Sequence, residues 1–282
     1  MKKEYPVLWL QGSGCSGCSI SVLNSVSPNV KNLLIDNVMP GKHINLLFHA
    51  TLMAGQGDPV IEILKDAERG QGSDFILVVE GSIPESLDKR FATTGEVEGK
   101  PLSMVRHLVS LAKNASIVIA LGTCSAFGGI PASHPNPTGC KGVGAILKEK
   151  GIEVPLINIP GCPPHPDWFI GTIAHLLLFG FEIELDELAR PELFYGKLIH
   201  ENCPRRPYFD KGKFASSIDE PGCLYRLGCK GHYTYADCPL RQWNHGQNWC
   251  VRNGSPCLGC VEPEFPDGTS PFYDKIIAKV ED

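Results

Sequence analysis

PVLWLQGSGCSGCSI, residues 6–20, joins a short apolar strand to a glycine-rich turn and the start of a helix. The run Pro6–Leu10 is typical of a strand that is covered on both faces. A helical pattern, Ser19–Ser25, begins directly after the turn. A strand, a tight turn and a helix in this order predict the opening unit of a parallel α/β sheet.

Strand-like and helical segments alternate from this unit to about residue 180. The further predicted strands are Leu33–Asp36, Ile44–His49, Phe75–Glu80, Ile117–Leu121 and Pro155–Ile159. The further predicted helices are Pro59–Ala67, Leu102–Lys113, Val143–Lys150 and Pro166–Leu178. For the first of these helices we expect Asp58 as the N-cap and Pro59 at the first helical position. The alternation predicts an α/β fold with a doubly wound parallel sheet.

The pattern changes at about residue 181, so two domains are predicted, 1–180 and 181–282. Glycine, proline, cysteine and aromatic residues dominate the second part, and periodic apolar segments nearly vanish. A stretch of about 100 residues with so little regular core would be marginal alone. Metal binding can supply the missing stability, because ligand binding is coupled to folding.

Charge and hydropathy argue against several classes of protein. A net charge of −5 without a basic run gives no reason to expect nucleic-acid binding. No apolar stretch reaches the roughly 18 residues that span a bilayer, so no membrane span is expected. Met1 is not followed by a secretory or twin-arginine leader. This predicts a cytoplasmic location, or a periplasmic one if such a leader was removed.

The glycine-rich turn allows two interpretations. Gly12, Gly14 and Gly17 match G-x-G-x-x-G, and Asp36 lies 19 residues beyond the last of them, as in a dinucleotide-binding fingerprint. However, Cys15 and Cys18 occupy the turn where the backbone would approach a pyrophosphate. Their Cys-x2-Cys spacing is that of a metal chelate.

Two more cysteines share the structural position of this pair. Cys124 follows the strand Ile117–Leu121, and Cys162 follows Pro155–Ile159. Sites in open α/β sheets form beyond the carboxyl ends of the strands, so Cys15, Cys18 and these two can converge. Four thiolates suit zinc or a cubane iron–sulfur cluster. Cys140 lies in a loop before a helix, and we expect it to be an isolated thiol.

The C-terminal part supplies eight further candidate ligands. By chain order they form two sets of four, namely His200, Cys203, Cys223, Cys229 and then Cys238, Cys250, Cys257, Cys260. Disulfides and zinc are the alternatives, since Cys-x2-Cys and His-x2-Cys spacings also occur in zinc modules. Zinc does not change oxidation state, whereas three iron–sulfur clusters could carry electrons through the chain. His165, His232 and His245 are expected to have structural roles.

The motifs together resemble the small, electron-transferring subunit of nickel–iron hydrogenases. The likeness runs through LWLQ (8–11), GCSGC (14–18), GTC (122–124), PGCPPHP (160–166), HENCP (200–204) and CLGC (257–260). It implies a hydrogenase, an oxidoreductase, whose hydrogen-splitting nickel–iron centre lies in a partner large subunit. Such a chain has no catalytic residue of its own and passes electrons to an acceptor such as a cytochrome, a ferredoxin or a further subunit.

The resemblance also assigns the ligand sets. It implies a flavodoxin-like first domain without flavin, followed by a loop-rich iron–sulfur domain. The sheet-edge set would hold a proximal 4Fe-4S cluster. The set that begins with His200 would hold a distal 4Fe-4S cluster, and the set that begins with Cys238 a medial cluster. Two alternatives remain, an iron–sulfur subunit of a quinone-reducing complex and a zinc-stabilised dinucleotide-binding protein.

The chain departs from the commonest family pattern at the medial cluster and at the proximal one. Many members have proline at the position of Cys250 and hold a 3Fe-4S cluster, whereas a fourth thiolate here favours 4Fe-4S and a lower potential, as in the nickel–iron–selenium branch. Oxygen-tolerant members have two additional cysteines, where this chain has Gly17 and Gly129. An ordinary proximal cluster is therefore expected, without oxygen tolerance by that route.

Overall fold

Five of the six predicted strands form one parallel sheet in a computed structural model that describes residues 3–34, 42–71, 74–86 and 91–273. The strands are β1 (Lys3–Gln11), β2 (Lys42–His49), β3 (Ile76–Glu80), β4 (Ile83–Pro84), β5 (Thr93–Val97), β6 (Lys100–Ser103), β7 (Ile117–Leu121), β8 (Cys140–Lys141) and β9 (Leu156–Ile159). The helices are α1 (Gly17–Leu23), α2 (Val30–Leu34), α3 (Asp58–Glu68), α4 (Met104–Ala112), α5 (Thr123–Phe127), α6 (Val143–Glu149), α7 (Pro166–Phe179), α8 (Glu192–Tyr195), α9 (Arg206–Asp210) and α10 (Cys238–Arg241).

The main sheet has the order β2-β1-β3-β7-β9, and every neighbouring pair is parallel. Counted along the chain this is the 2-1-3-4-5 order of flavodoxin-like folds. The register brings the carboxyl ends together, because Gln11 pairs with Glu80, Glu80 with Leu121, and Leu121 with Ile159. The residues that follow β1, β7 and β9 therefore meet at one edge of the sheet.

The predicted strand Leu33–Asp36 is wrong in its first half, because Val30–Leu34 is the helix α2. Asn29 and Asn32 exchange hydrogen bonds at its start: each backbone amide donates to the other side chain, at 3.0 and 2.9 Å. This reciprocal cap stabilises a helix start that the apolar pattern does not reveal. Asp36 lies outside the described residues.

Two smaller features differ from the sequence prediction. The N-cap of α3 is Gly57 rather than Asp58, which is the first helical residue. Gly57 has a φ of +73°, a conformation that glycine adopts more easily than aspartate. The hairpin of β5 and β6 was not predicted, since all its residues except Leu102 are half-buried or exposed and they lack an apolar strand pattern.

The apolar core continues across the predicted boundary at residue 180. One cluster covers a face of the sheet and includes Trp168 of α7 together with Tyr195, Leu224 and Val261 of the C-terminal part. The other face packs against a separate cluster under α3, α4 and α6. The loop-rich part thus shares a core with the sheet instead of building its own. The division into domains at residue 180 stays a prediction.

A buried ion-pair network connects the beginning of the C-terminal part with its last segment. The Arg190 guanidinium, 3% exposed, donates to Asp186 at 2.7 Å and to Glu262 at 3.2 Å. Glu262 also accepts the backbone amide of Tyr235 at 2.7 Å. Burial raises the pKa of the Glu262 carboxyl, although the amide of Tyr235 and the charge of Arg190 oppose this. Both partners of the buried pair are therefore needed to hold the last segment in place.

No helix within the described residues is long and apolar enough to cross a membrane.

Candidate metal centres

The structure brings Cys15, Cys18, Cys124 and Cys162 together at the carboxyl edge of the sheet. Cys15 lies in the turn after β1, Cys18 in the first turn of α1, Cys124 in α5 after β7, and Cys162 after β9. Burial is the main cause that raises the pKa of the Cys18 thiol, followed by the Glu80 carboxylate and the other three thiols of the set. Burial likewise raises the pKa of Cys124 to about 11. A bound metal centre would stabilise the thiolate forms of these buried, neighbouring cysteines.

Glycines leave room around these sulfur atoms. A Cβ atom at Gly122 would lie 2.5 Å from the sulfur of Cys18, and one at Gly129 would lie 2.9 Å from the backbone of Cys124. A Cβ at Gly17 would lie 3.1 Å from the sulfur of Cys15. Gly129 also has a φ of +53°, so a cysteine there would be strained on this backbone.

Glu80, which the sequence analysis did not single out, is a buried carboxylate beside this set. It is 1% exposed and accepts the backbone amides of Cys18 at 3.1 Å and Ser19 at 3.0 Å. It also accepts the indole of Trp9 at 3.0 Å and the hydroxyl of Ser19. The sequence did contain a signal for this residue, since Glu80 ends the apolar strand ILVVE. A carboxylate in such a buried strand is stable only when several hydrogen-bond donors surround it.

The position of Glu80 argues against a dinucleotide site. Its carboxylate occupies the first amides of α1, where a pyrophosphate would bind in the alternative interpretation. The turn itself is closed by backbone pairing, since the amides of Gly12 and Ser13 donate to Glu80 and Ser82 at 2.7 and 2.8 Å. A Cβ atom at Gly12 would lie 2.5 Å from the carbonyl oxygen of Ser82. The glycines therefore serve close packing of the chain.

The second set comprises His200, Cys203, Cys223 and Cys229 on short helices and loops. Burial raises the pKa of the Cys203 thiol, and the nearby thiols of Cys229 and Cys223 raise it further. The Nε2 atom of His200 is buried and has no hydrogen-bond partner within the described residues. Burial lowers the pKa of this imidazole, and the neutral form is the one that binds metal. An unpartnered buried nitrogen three residues before Cys203 fits a ligand.

The third set comprises Cys238, Cys250, Cys257 and Cys260. Burial raises the pKa of Cys238 well above its usual range, and the thiols of Cys260, Cys257 and Cys250 add to the shift, in that order. Burial raises the pKa of Cys260 to about 12. All four members thus lie within electrostatic range of one another, Cys250 included.

Backbone amides donate to the sulfur atoms in a repeated pattern. The donor lies two residues after the cysteine in five cases, namely Gly17 to Cys15, Arg205 to Cys203, Tyr225 to Cys223, Gly231 to Cys229 and Gly259 to Cys257. Such bonds favour the thiolate form of a cysteine. They are also one of the factors that set the potential of a bound iron–sulfur cluster.

Two further amide-to-sulfur bonds connect the three sets in series. The amide of Cys162, in the sheet-edge set, donates to the sulfur of Cys260 in the third set. The amide of Cys257, also in the third set, donates to the sulfur of Cys229 in the second set at 3.4 Å. The set that begins with Cys238 therefore lies between the other two.

The spacing within the sets differs from that of a single-ion site. Among the described residues, no three histidine, cysteine or acidic side chains lie close enough to share one metal ion. A zinc ion needs sulfur atoms about 2.3 Å from one centre. In a cubane each cysteine binds a different iron, so the sulfur atoms lie further apart. Each set supplies four donors, the number that a cubane cluster needs.

The remaining cysteine and two of the histidines are held by other contacts. Cys140 is 3% exposed on β8, where the hydroxyl of Thr138 donates to its sulfur at 3.2 Å. His165 caps α7 by accepting the amide of Asp167 at 3.1 Å, and its Nε2 donates to a backbone carbonyl at 2.7 Å. The Nδ1 atom of His232 bonds to the carbonyl of Cys229 at 3.1 Å.

Comparison with known proteins gives the family. Residues 195–273 match the family model for the C-terminal region of the NiFe/NiFeSe hydrogenase small subunit. Residues 15–176 match the model "NADH ubiquinone oxidoreductase, 20 Kd subunit". The periplasmic [NiFeSe] hydrogenase small subunit of Desulfomicrobium baculatum is 45% identical over 96% of this chain and 87% of its own length. The chain belongs to the NiFe/NiFeSe hydrogenase small-subunit family.

Further relatives support this membership. The periplasmic [NiFe] hydrogenase small subunit of Solidesulfovibrio fructosivorans is 40% identical over 97% of this chain and 83% of its own length. A crystal structure of the reduced, active Ni-Fe-Se hydrogenase from D. baculatum superposes with a TM-score of 0.89, covering 97% of this chain and 100% of that one. An actinobacterial-type NiFe-hydrogenase from Ralstonia eutropha H16 is 34% identical with a TM-score of 0.90, covering 97% and 83%.

Family membership confirms the fold and the general function predicted from the motifs. The chain is the electron-transferring subunit of a hydrogenase, an oxidoreductase, and pairs with a large subunit. The quinone-reducing alternative rests on residues 15–176 alone, whereas the C-terminal part matches the hydrogenase family. The zinc-stabilised dinucleotide-binding alternative has no support from the relatives or from the geometry at Glu80.

Proposed function

We propose that three cubane iron–sulfur clusters bind to the three sets and relay electrons between the large subunit's nickel–iron site and an external acceptor. Cys15, Cys18, Cys124 and Cys162 would hold the proximal 4Fe-4S cluster. Cys238, Cys250, Cys257 and Cys260 would hold the medial cluster. His200, Cys203, Cys223 and Cys229 would hold the distal 4Fe-4S cluster. The observation that carries this proposal is the serial connection of the sets through Cys162–Cys260 and Cys257–Cys229.

The bound clusters would supply one-electron transfer, and the chain's own residues do the rest. Burial of Cys18, Cys223 and Cys257 keeps water away from the sulfur atoms. Backbone amides stabilise the thiolates. Glu80 fixes the first turn of α1 and so positions the Cys18 amide and side chain. None of these groups donates or removes a proton in hydrogen splitting.

We assign the sheet edge as the face that docks against the large subunit. Cys15 and Cys162 are exposed there. Next to them α1 and the turn after β2 expose Ile20 at 63%, Leu23 at 46% and Leu52 at 43%. Contiguous apolar exposure of this kind marks a protein interface. A large subunit docked on this face would bring its metal centre to the proximal set, and we propose that the two subunits are stable only together.

Metal content tests the cluster assignment. We expect about twelve irons with a similar amount of acid-labile sulfide in the small subunit, because three cubanes each contain four irons. The iron and nickel of the large subunit's centre are counted separately. About three zinc ions without sulfide would contradict the assignment. The measurement is elemental analysis of the anaerobically purified heterodimer.

Cys250 decides the type of the medial cluster. Its thiol lies within electrostatic range of Cys238, Cys257 and Cys260. A fourth thiolate lets the cluster keep its fourth iron. We therefore propose 4Fe-4S, with a lower potential than a 3Fe-4S centre in the same position would have.

Replacement of Cys250 tests this proposal by spectroscopy. We expect Cys250→Pro to convert the medial cluster, which removes about one iron per heterodimer and produces a 3Fe-4S signal in the oxidised enzyme. Electron paramagnetic resonance measures that signal. The matched control is Cys140→Ser, which leaves the spectrum unchanged. A stoichiometric 3Fe-4S signal in the unmodified protein would contradict the proposal.

The cellular location of the protein depends on whether the chain is synthesised with an export leader. The relatives from D. baculatum and S. fructosivorans are periplasmic by name. We infer that the chain is periplasmic where it is synthesised with a twin-arginine leader and cytoplasmic otherwise. Fractionation of the native cells distinguishes the two locations.

A further inference from the structure

Positive charge is concentrated around the proposed distal set. Residues 197–230 contain seven lysines and arginines but four acidic residues, in a chain whose net charge is −5. The rest of the chain is therefore acidic on balance, whereas this segment is basic. Lys213 and Arg226, both exposed, have no ion-pair partner within the described part of the chain. They present uncompensated positive charge to the solvent.

Aromatic rings hold these cations in place. The Arg226 guanidinium lies 4.5 Å from the ring centre of Phe214, and the Lys213 ammonium lies 5.5 Å from that of Tyr208. Cations over ring faces are attracted by the ring quadrupole, so both charges have preferred positions. These two side chains should therefore lose less conformational entropy on binding a partner than lysines and arginines that are free in solvent.

The same aromatic layer covers His200. The ring of Phe209 lies 4.6 Å from the His200 imidazole in an edge-on arrangement. Phe209 in turn contacts Phe214 at 5.8 Å and Tyr225 at 5.8 Å. One layer of rings therefore separates the proposed distal ligand from the cationic surface. A partner on this surface would come within a short distance of the last centre in the series.

One of the four acidic residues of the segment has an ion-pair partner. Asp210 pairs with Arg206 at 2.7 Å. The Glu220 carboxylate accepts the amide of Ser216 at 2.8 Å, and hydrogen bonds from Ser216 and Ser217 lower its pKa. Glu220 therefore stays ionised, and Glu201 and Asp219 are further exposed acidic residues. The seven lysines and arginines outnumber all four acidic residues, so the segment keeps a net positive charge.

We propose that this surface, formed by Tyr208, Lys213, Phe214, Tyr225 and Arg226, docks a small acidic electron-transfer protein. The proposal rests on the distal assignment of His200, Cys203, Cys223 and Cys229, and it specifies the partner's chemistry. Opposite charges would steer encounter and orient the partner, while the rings supply contact area. A basic carrier would be repelled at the same place.

Charge reversal tests the docking surface in the intact heterodimer under hydrogen. The probes are an acidic plant-type two-iron ferredoxin, a lysine-rich cytochrome c and benzyl viologen. We expect the double variant Lys213→Glu/Arg226→Glu to lower kcat/KM for the ferredoxin by about ten-fold or more at low ionic strength. Added salt should remove most of the difference, since exposed charges are screened. Viologen reduction and the distal cluster spectrum should stay unchanged.

The matched control is Lys148→Glu, which reverses an exposed lysine on α6 in the sheet domain. It should leave kcat/KM for the ferredoxin unchanged. The proposal is overturned if the unmodified enzyme prefers the cytochrome at low salt, or if the double variant reduces the ferredoxin as well as the unmodified enzyme does. Loss of viologen reduction in the unmodified heterodimer would instead overturn the relay itself.

Discussion

Cys162→Ser is expected to reduce hydrogen-dependent viologen reduction by more than about 100-fold. Loss of a group that only hydrogen-bonds to a metal ligand lowers metal affinity or activity by about 10–100-fold, and loss of the ligand itself should have a larger effect. Cys162 lies at the exposed edge of the sheet, where the proposed proximal cluster faces the large subunit. A serine hydroxyl is a poor substitute for a thiolate at an iron centre. We also expect the loss of up to about four irons per heterodimer.

The matched control for this variant is Cys140→Ser. Cys140 is buried and accepts the Thr138 hydroxyl, a bond that serine can keep. Its replacement should leave iron content and activity unchanged. The measurements are dye reduction under hydrogen and iron analysis of the purified heterodimer. Unchanged dye reduction in Cys162→Ser would refute the proximal assignment, and iron loss in Cys140→Ser would show that a ligand was missed.

Arg190→Met is expected to give the largest loss of stability, about 3–5 kcal/mol, because it leaves a buried carboxylate without its cation. Arg190 and Glu262 are 3% and 5% exposed. The comparison variant is Arg69→Met, whose ion pairs with Glu62 and Asp66 are solvent-exposed. A surface pair contributes about 0–1 kcal/mol, so this change should hardly alter stability. Thermal denaturation of the heterodimer measures both.

The Arg190→Met deficit should also depend on pH. Burial raises the pKa of Glu262 already in the unmodified protein, and loss of the guanidinium removes an opposing charge. A carboxyl whose folded pKa lies above its unfolded value destabilises the fold most when it is ionised. The deficit should therefore be larger at pH 8 than at pH 5. The double variant Arg190→Met/Glu262→Gln should recover part of the loss, and no recovery would contradict this account.

The sequence predicted the sheet and the position of four candidate ligands with few errors. Apolar runs such as Ile117–Leu121 identify buried strands because both faces of a parallel sheet are covered. The carboxyl ends of parallel strands meet at one edge, so Cys124 and Cys162 could be placed beside Cys15 and Cys18. Leu33–Asp36 was predicted as a strand, but its first residues belong to a helix that an asparagine cap stabilises. Apolar periodicity does not reveal such a cap.

Grouping of the C-terminal candidates by chain order placed Cys238 with Cys250, Cys257 and Cys260. These thiols also lie together in the structure, although ligation stays a prediction. Motif spacing could identify such sets because cysteines close in sequence are constrained to lie close in space. It could not give their serial order, which depends on the bond from the Cys257 amide to the sulfur of Cys229.

By itself, then, the opening strand, turn and helix at residues 6–20, together with the cysteine spacing, determined the fold class and the kind of chemistry. Only the tertiary structure decided that Glu80 occupies the helix start that a dinucleotide would need. It also decided that Lys213 and Arg226, separated along the chain, lie on one aromatic surface above His200. The physical reason is that periodicity and spacing report local constraints, whereas these contacts join segments that only packing of the shared core brings together.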